Sequence, residues 1–515
     1  MDATETRPLP TWLELALRAR IWAPFCFLYF ALLFTWAETA PGGLYESDGY
    51  FHARYAQLFP ERGLTREFPW TQASTWRGNF CDKEFLYHML LVPFCRNPIE
   101  PIKGAQILAV ILALAVLVAQ YYLLRLHHVP HPLLCTLIFA SLSGAVLLRL
   151  GMIRSHVLSM LLFQVGLHLM LDKRWKALAA LGFIYAWSYT FPWVLPLTAA
   201  IFALGHGVSR GEWRLRPPAA ALAGVTVGSI LHPYFPGTLE NFLTYIQVIA
   251  LSASGRVQSG VTLGNELYAL TPGEFLRNFP LLTLLQTVGF AWALLRFKAR
   301  LRPESIATMG VAWFWFAGCL LMPRLIEYAA PATALAAGFL LRDLLAGVNL
   351  RAAFTGPKRV PWLVGLAAAA TILAGAHSSS VSTFVATVQD RPPRRFSGAA
   401  GWMKRHLEPG ETIMNLWWDD FPELYYDAPE QHYLCGLDPT YMLRWNEVVT
   451  RRLEAMRARK RGLDGAWLLD SFGSRLLILR RPAADAYPEL RGKGWKTLYE
   501  DEHAALFHYE GLAED

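Results

Sequence analysis

The ionisable residues that punctuate the apolar runs of this chain are the ones with chemistry available to them. In "SDGYFHARYAQ", Asp48 and His52 are four apart, so on a helix they share one face. A carboxylate beside an imidazole can bind a metal or relay a proton, and Asp48 can equally serve as the N-cap of the helix that follows. Arg154 and His156 in "RLGMIRSHVLSM" stand where one apolar run gives way to the next. His232 opens a long polar interval that contains Glu266, and Arg324 and Glu327 sit close together in "MPRLIEYAAP". An arginine there is either an interfacial anchor or a planar donor fork for phosphate. Trp417, Trp418 and Asp419 in "NLWWDDF" follow a short buried strand. They are either core and interfacial aromatics or binding groups on a loop after a strand. Charged groups at membrane depth or at its edge are costly to keep, which makes them candidates for function.

The elements that hold these residues are membrane spans. Of 515 residues, 54% are hydrophobic and 17% are charged, whereas soluble chains carry about 25% charged residues. Apolar stretches such as 105–124 and 361–376 hold almost no charge, and roughly 20 such residues cross a bilayer as a helix. The net charge of +8 is spread over short loops between apolar runs, a pattern that the positive-inside rule explains and nucleic-acid binding does not. Arg7, Arg18 and Arg20 precede the first run, 21–36, which ends in no small-residue cleavage site and reads as a retained helix.

Loop charges then thread the chain. Outward and inward runs alternate through 102–124, 133–150, 156–171, 177–189, 193–207, 219–231, 280–297, 307–322, 326–341 and 362–376. Basic loops, among them Arg210 to Arg216 and Arg342 to Arg359, all fall on one side. The expectation is a polytopic α-helical membrane protein of about 11 spans, in an inner or plasma membrane, with the amino terminus cytoplasmic and large outer loops at 38–102 and 232–278. Asp48, Arg154, His156, His232, Glu266, Arg324 and Glu327 all then face outward.

Residues 1–376 form this transmembrane part, and 377–515 a soluble extracytoplasmic domain, periplasmic or extracellular, of mixed α/β class. In it, 399–407 and 440–459 read as helices, and 412–417, 475–479 and 504–509 as strands. Six cysteines are scattered without zinc spacing; Cys81 and Cys95, in or near one outer loop, can pair there or remain thiols.

Taken in order, these motifs resemble the GT-C fold membrane glycosyltransferases, most closely the catalytic subunits of oligosaccharyltransferases. "SDGYFHARYAQ" is similar to the acidic motif of their first outer loop. "GVTLGNELYAL" is similar to a loop motif ending in a metal-linked glutamate, here Glu266. "PRLIEYAAPATALAAG" is similar to their arginine-bearing helix near the carrier phosphates, and "LWWDDF" to their WWD acceptor motif. The resemblance implies transfer of a sugar or oligosaccharide from a polyprenyl-(di)phosphate carrier to a protein, lipid or glycan acceptor. Asp48 and Glu266 would be catalytic; Asp48, His156 and Glu266 would hold a divalent cation such as Mn or Mg. Arg324, His232 and Arg154 would bind the lipid phosphate, and Trp417, Trp418 and Asp419 the acceptor.

One departure stands out. Where the family carries an acidic pair between the third and fourth spans, this chain has Arg154, Ser155 and His156, so Arg154 can replace a metal's charge. Two rival classes remain in view. A transporter of lipid-linked substrates places its ionisable groups near mid-membrane on broken helices, whereas these gather at one edge. A non-catalytic scaffold would not need Asp48 or Glu266.

Overall fold

The computed structural model describes residues 19–211, 213–255, 261–349, 359–492 and 494–511. Arg7, Arg18, Arg351 and Lys358 lie outside the described residues.

Each apolar run is helical. The first, α1 (Ala19–Thr39), is followed by two polar helices, α2 (Asp48–Arg62) and α3 (Phe85–Leu91). The apolar series continues with α4 (Pro101–Leu126), α5 (Pro132–Ser141), α6 (Gly144–Gly151), α7 (Ser155–Leu171), α8 (Trp175–Ser188), α9 (Val194–Arg210) and α10 (Arg216–Ile230). Beyond α11 (Gly237–Ser254) come α12 (Pro280–Phe297), α13 (Pro303–Leu321), α14 (Ile326–Leu345) and α15 (Arg359–Gln389). Among the described residues, five helices are long and apolar enough to cross a membrane (α1, α4, α12, α13 and α15), with a sixth if α5 and α6 count together. The chain is therefore an integral membrane protein, while the remaining apolar helices are too short or too polar by the same measure.

The run 133–150, expected to be one straight span, is broken. α5 and α6 meet at 92°, because Ser143 turns the chain and its side chain accepts the Ala145 N–H to cap α6. Small residues set the closest helix contact. A Cβ on Gly224 of α10 would lie 2.0 Å from the carbonyl oxygen of Ala179 on α8, so these backbones touch as small-residue interfaces in membranes do.

The last apolar helix extends to Gln389, well beyond 376, and carries the chain directly into the terminal domain. That domain is built on a five-stranded sheet: β1 (Thr412–Asn415), β2 (His432–Tyr433), β3 (Leu476–Arg480), β4 (Trp495–Glu500) and β5 (Ala504–Tyr509). The order is β2-β1-β3-β5-β4, with β1 parallel to β2 and β3, and β5 antiparallel to its neighbours. The loop between α2 and α3 adds itself to the β2 edge, where Tyr433 exchanges hydrogen bonds with Trp70 and Gln72. The ring of Phe51 on α2 also packs 5.9 Å from that of Tyr425 in the terminal domain. Cys81 and Cys95 are both buried free thiols, which settles the alternatives left open for them.

Candidate functional site

The start of α2 fixes Asp48. Ser47 at the N-cap makes no side-chain hydrogen bond to the helix, and Glu46 accepts the Asp48 N–H at 2.7 Å instead. The carboxylate of Asp48 is thus not used as a cap and faces Arg154. Gly49 permits this approach, since a Cβ there would lie 2.7 Å from the Leu44 side chain and 3.1 Å from that of Ile153.

Arg154 is the hub. Its guanidinium pairs with Asp48, reaches Glu46 at 3.3 Å and comes within 3.9 Å of Glu266. Glu266 arrives on a single 3-10 turn, Asn265–Leu267, and Gly264 clears its path, because a Cβ on that residue would lie 2.7 Å from the Glu266 carboxylate. Burial raises the Glu46 carboxyl above its usual range, with Arg154 opposing. Burial acts the same way on Glu266, but Arg154, Arg324 and Arg149 together hold it below that range. A second pairing lies alongside: Glu327 binds Arg149 and lies 3.6 Å from Arg324. Arg324 is therefore drawn inward to a carboxylate rather than snorkelling to the interface.

Asp48, Arg154, Glu266, Arg324 and Glu327 line a cavity of about 370 Å³ between the helices and the terminal domain. Its lining also includes apolar residues, among them Leu197, Val248, Ile249, Phe314 and Leu321. Lys83 reaches the cavity where three parts of the chain meet. Its ammonium donates to the Tyr245 hydroxyl at 2.8 Å and lies 5.7 Å from the Tyr441 ring centre.

His156 and His232 are placed differently. His156 donates from Nε2 to the Arg149 carbonyl at 2.7 Å, and its Nδ1 is buried with no hydrogen-bond partner among the described residues. His232 is not part of the cavity lining. Its Nδ1 accepts the Tyr234 N–H at 3.2 Å, and burial pulls it down to about 4 against the opposing charge of Asp82. Of the acceptor trio, Trp418 lines the cavity and donates to the Thr262 carbonyl at 2.9 Å. Trp417 packs near Tyr487, and Asp419 pairs with Arg480 at 2.6 Å.

The divalent cation expected at Asp48, His156 and Glu266 does not fit the geometry. A guanidinium already sits among the carboxylates where the cation would have to bind. Among the described residues, the two groups whose ligand atoms all lie within 4.8 Å of one another are His52, Glu84, His88 and His127, His168, Asp172. His52 thus turns away from Asp48 and towards α3. Its Nδ1 lies 2.8 Å from Nε2 of His88, which donates from Nδ1 to the Asp82 carboxylate at 2.8 and 2.9 Å. Burial pulls His52 down to about 3. Sequence reasoning missed Asp82, Lys83, Glu84 and His88; the signal available was the four-residue spacing of Glu84 and His88 in "CDKEFLYHM".

No protein-family profile matches the sequence, and no curated protein matches it. Solved structures do. The apo oligosaccharyltransferase of Archaeoglobus fulgidus matches at TM-score 0.64 and 11% identity, over 89% of this chain and 69% of that one. The same enzyme tethered to an acceptor peptide containing the NVT sequon matches at 0.57 and 12%, over 95% and 74%. ArnT of Cupriavidus metallidurans bound to undecaprenyl phosphate matches at 0.54 and 13%, over 94% and 97%. Shared architecture at such low identity speaks for the fold, and this chain has a GT-C-like fold.

Proposed function

We propose that the protein transfers a sugar from a polyprenyl phosphate or diphosphate to an acceptor on the outer face of the membrane. The observation that carries this reading is the cavity itself, whose lining combines a cluster of carboxylates and guanidiniums with apolar side chains. The apolar lining suits a prenyl chain and the guanidiniums suit its phosphate. Support for a lipid-linked donor comes from the likeness to an ArnT structure bound to undecaprenyl phosphate.

In the reaction, the acceptor attacks the anomeric carbon as the bond from that carbon to the phosphate oxygen breaks. The leaving phosphate takes the electron pair, and Arg154 and Arg324 stabilise its charge. The phosphate competes for Arg154, which frees Asp48 to take the acceptor's proton. Attack from the opposite face inverts the anomeric centre. Glu266 holds Arg154 in place, and no step needs a metal between Asp48 and Glu266. Trp418 contacts the acceptor at the cavity mouth, while Trp417 and Asp419 shape the terminal domain behind it. Because Asp419 is already paired with Arg480, a lipid or glycan acceptor is favoured over asparagine of a protein.

The test compares glycans on surface proteins and on lipids from cells carrying wild-type protein or Asp48→Asn at matched expression. Loss from the lipid fraction alone supports the favoured acceptor, and loss from peptides turns the reading to protein. Equal glycans in both fractions would overturn the enzyme and favour a transporter or scaffold.

A further inference from the structure

We infer that His52, Glu84 and His88 form a binding site for one transition-metal ion of the zinc class, separate from the Arg154 cluster. The inference stands on geometry and does not depend on sugar transfer.

Three donors of the right type converge from two helices. His52 comes from the second turn of α2, while Glu84 and His88 flank the first turn of α3. From Nδ1 of His52, Nε2 of His88 lies at 2.8 Å and Oε2 of Glu84 at 3.9 Å. These values bracket the edge of about 3.3 Å that a tetrahedron with metal bonds of roughly 2.0–2.1 Å requires. Two imidazoles and one carboxylate, with a fourth position towards the cavity, form a donor set suited to zinc.

The supporting shell is also present. Asp82 accepts from Nδ1 of His88, which fixes the tautomer and leaves the lone pair of Nε2 to accept from Nδ1 of His52, a contact that an ion would replace as His52 gives up that proton. A carboxylate behind a ligating histidine is the usual support of a metal-bound imidazole. Ser155 donates to Oε1 of Glu84 at 2.7 Å and leaves Oε2 for the ion. Two neutral imidazoles, the Glu84 and Asp82 carboxylates and a divalent ion sum to zero charge, which suits a buried place. His52 and His88 are 5% and 2% exposed, so the ligands are shielded from competing water.

The ion would tie α2 to α3 one turn from Asp48, and through Glu84 and Ser155 it would brace the segment that carries Arg154. These three ligands are therefore positioning residues for the cavity above them.

The experiment measures metal content and cobalt(II) binding on the full-length chain in detergent, stripped with a chelator and then titrated. The expected result is one ion per chain in wild type, Asp48→Asn and Glu266→Gln, with at least tenfold weaker cobalt binding in His52→Gln and His88→Gln. Asp82→Asn should weaken it by about 10–100-fold. Pulsed EPR of the cobalt form of the unmutated chain should show two imidazole nitrogens, a result independent of any variant's folding. No binding, one imidazole, or an ion lost from His127→Gln or His168→Gln but kept in His52→Gln and His88→Gln would overturn the site.

Discussion

Arg154 and Arg480 each sit between carboxylates, and their surroundings differ. Arg154 pairs with Glu46 and, at the lining of a cavity, with Asp48 and Glu266. Arg480 holds Asp419 and Asp420 inside the terminal domain, where Asp420 is fully buried behind the sheet. The first cluster has a free volume beside it, so a phosphate can compete for the guanidinium. In the second, Arg480 and Asp419 are 25% and 39% exposed and only Asp420 is fully buried, so losing Arg480 would leave the Asp420 carboxyl buried without its partner. On the proposed function, the same ion pair serves chemistry in one place and cohesion in the other. What decides is the space next to it.

The comparison predicts opposite signatures. Asp48→Asn should lower transfer by about 10²–10⁴-fold, the usual value of a positioned acid or base, with the unfolding temperature nearly unchanged. Turnover of lipid-linked donor and thermal unfolding in detergent, measured on one preparation, check it. A variant that unfolds early and yet turns over normally would make the two clusters alike.

Arg480→Gln should do the reverse. Leaving the buried Asp420 carboxyl without its partner costs about 1–3 kcal/mol, read as a shift of the denaturant midpoint, while the turnover of molecules that remain folded stays close to wild type.

The pH dependence sharpens the contrast. Burial pushes the Asp420 carboxyl up to about 6, with Arg480 opposing. The folded value lies above the unfolded one, so between about pH 4 and 6 the folded state binds more protons. Stability from this group is therefore present below that window and lost as pH rises through it, by up to about 3 kcal/mol. Asp420→Asn should flatten that part of the profile in denaturant titrations from pH 4 to 7.

The smallest effect belongs to Trp418→Phe, which keeps the ring and removes the hydrogen bond to Thr262. A bond of this kind is worth about 1 kcal/mol, so acceptor KM should rise about fivefold with kcat unchanged.

Much of the membrane part was legible because apolar runs and their charged edges report directly on a change of solvent. Arg154 and Arg324 were singled out because each interrupts such a pattern, and Asp48 and Glu266 because the motifs around them resemble those of a known family. Asp82, Lys83, Glu84 and His88 were not, because they lie within a long polar loop where charge is ordinary and only the fold brings His52 to them. The α2 pattern placed Asp48 and His52 on one face, but the partner of each came from a different distant segment. The break at Ser143 was written in "SLSG", where three of four letters are small or turn-forming inside an apolar run, yet hydropathy averages over them. In the terminal domain β3 and β5 stood out as short apolar strands. β4 mixes half-buried and exposed residues at the sheet edge without strict alternation, and β2 is two residues long, so neither gave a usable period.

The helix α15 has 31 residues, or about 46 Å of length, against a hydrocarbon core of about 30 Å. Some 16 Å therefore remains to stand clear of the lipid. Arg391 clamps that upper end by donating to the carbonyls of Ala40 and Gly43 at 3.2 and 3.3 Å. The chain thus carries its own ruler, which sets the altitude of the terminal domain and restricts it to molecules that come within a few nanometres of the bilayer.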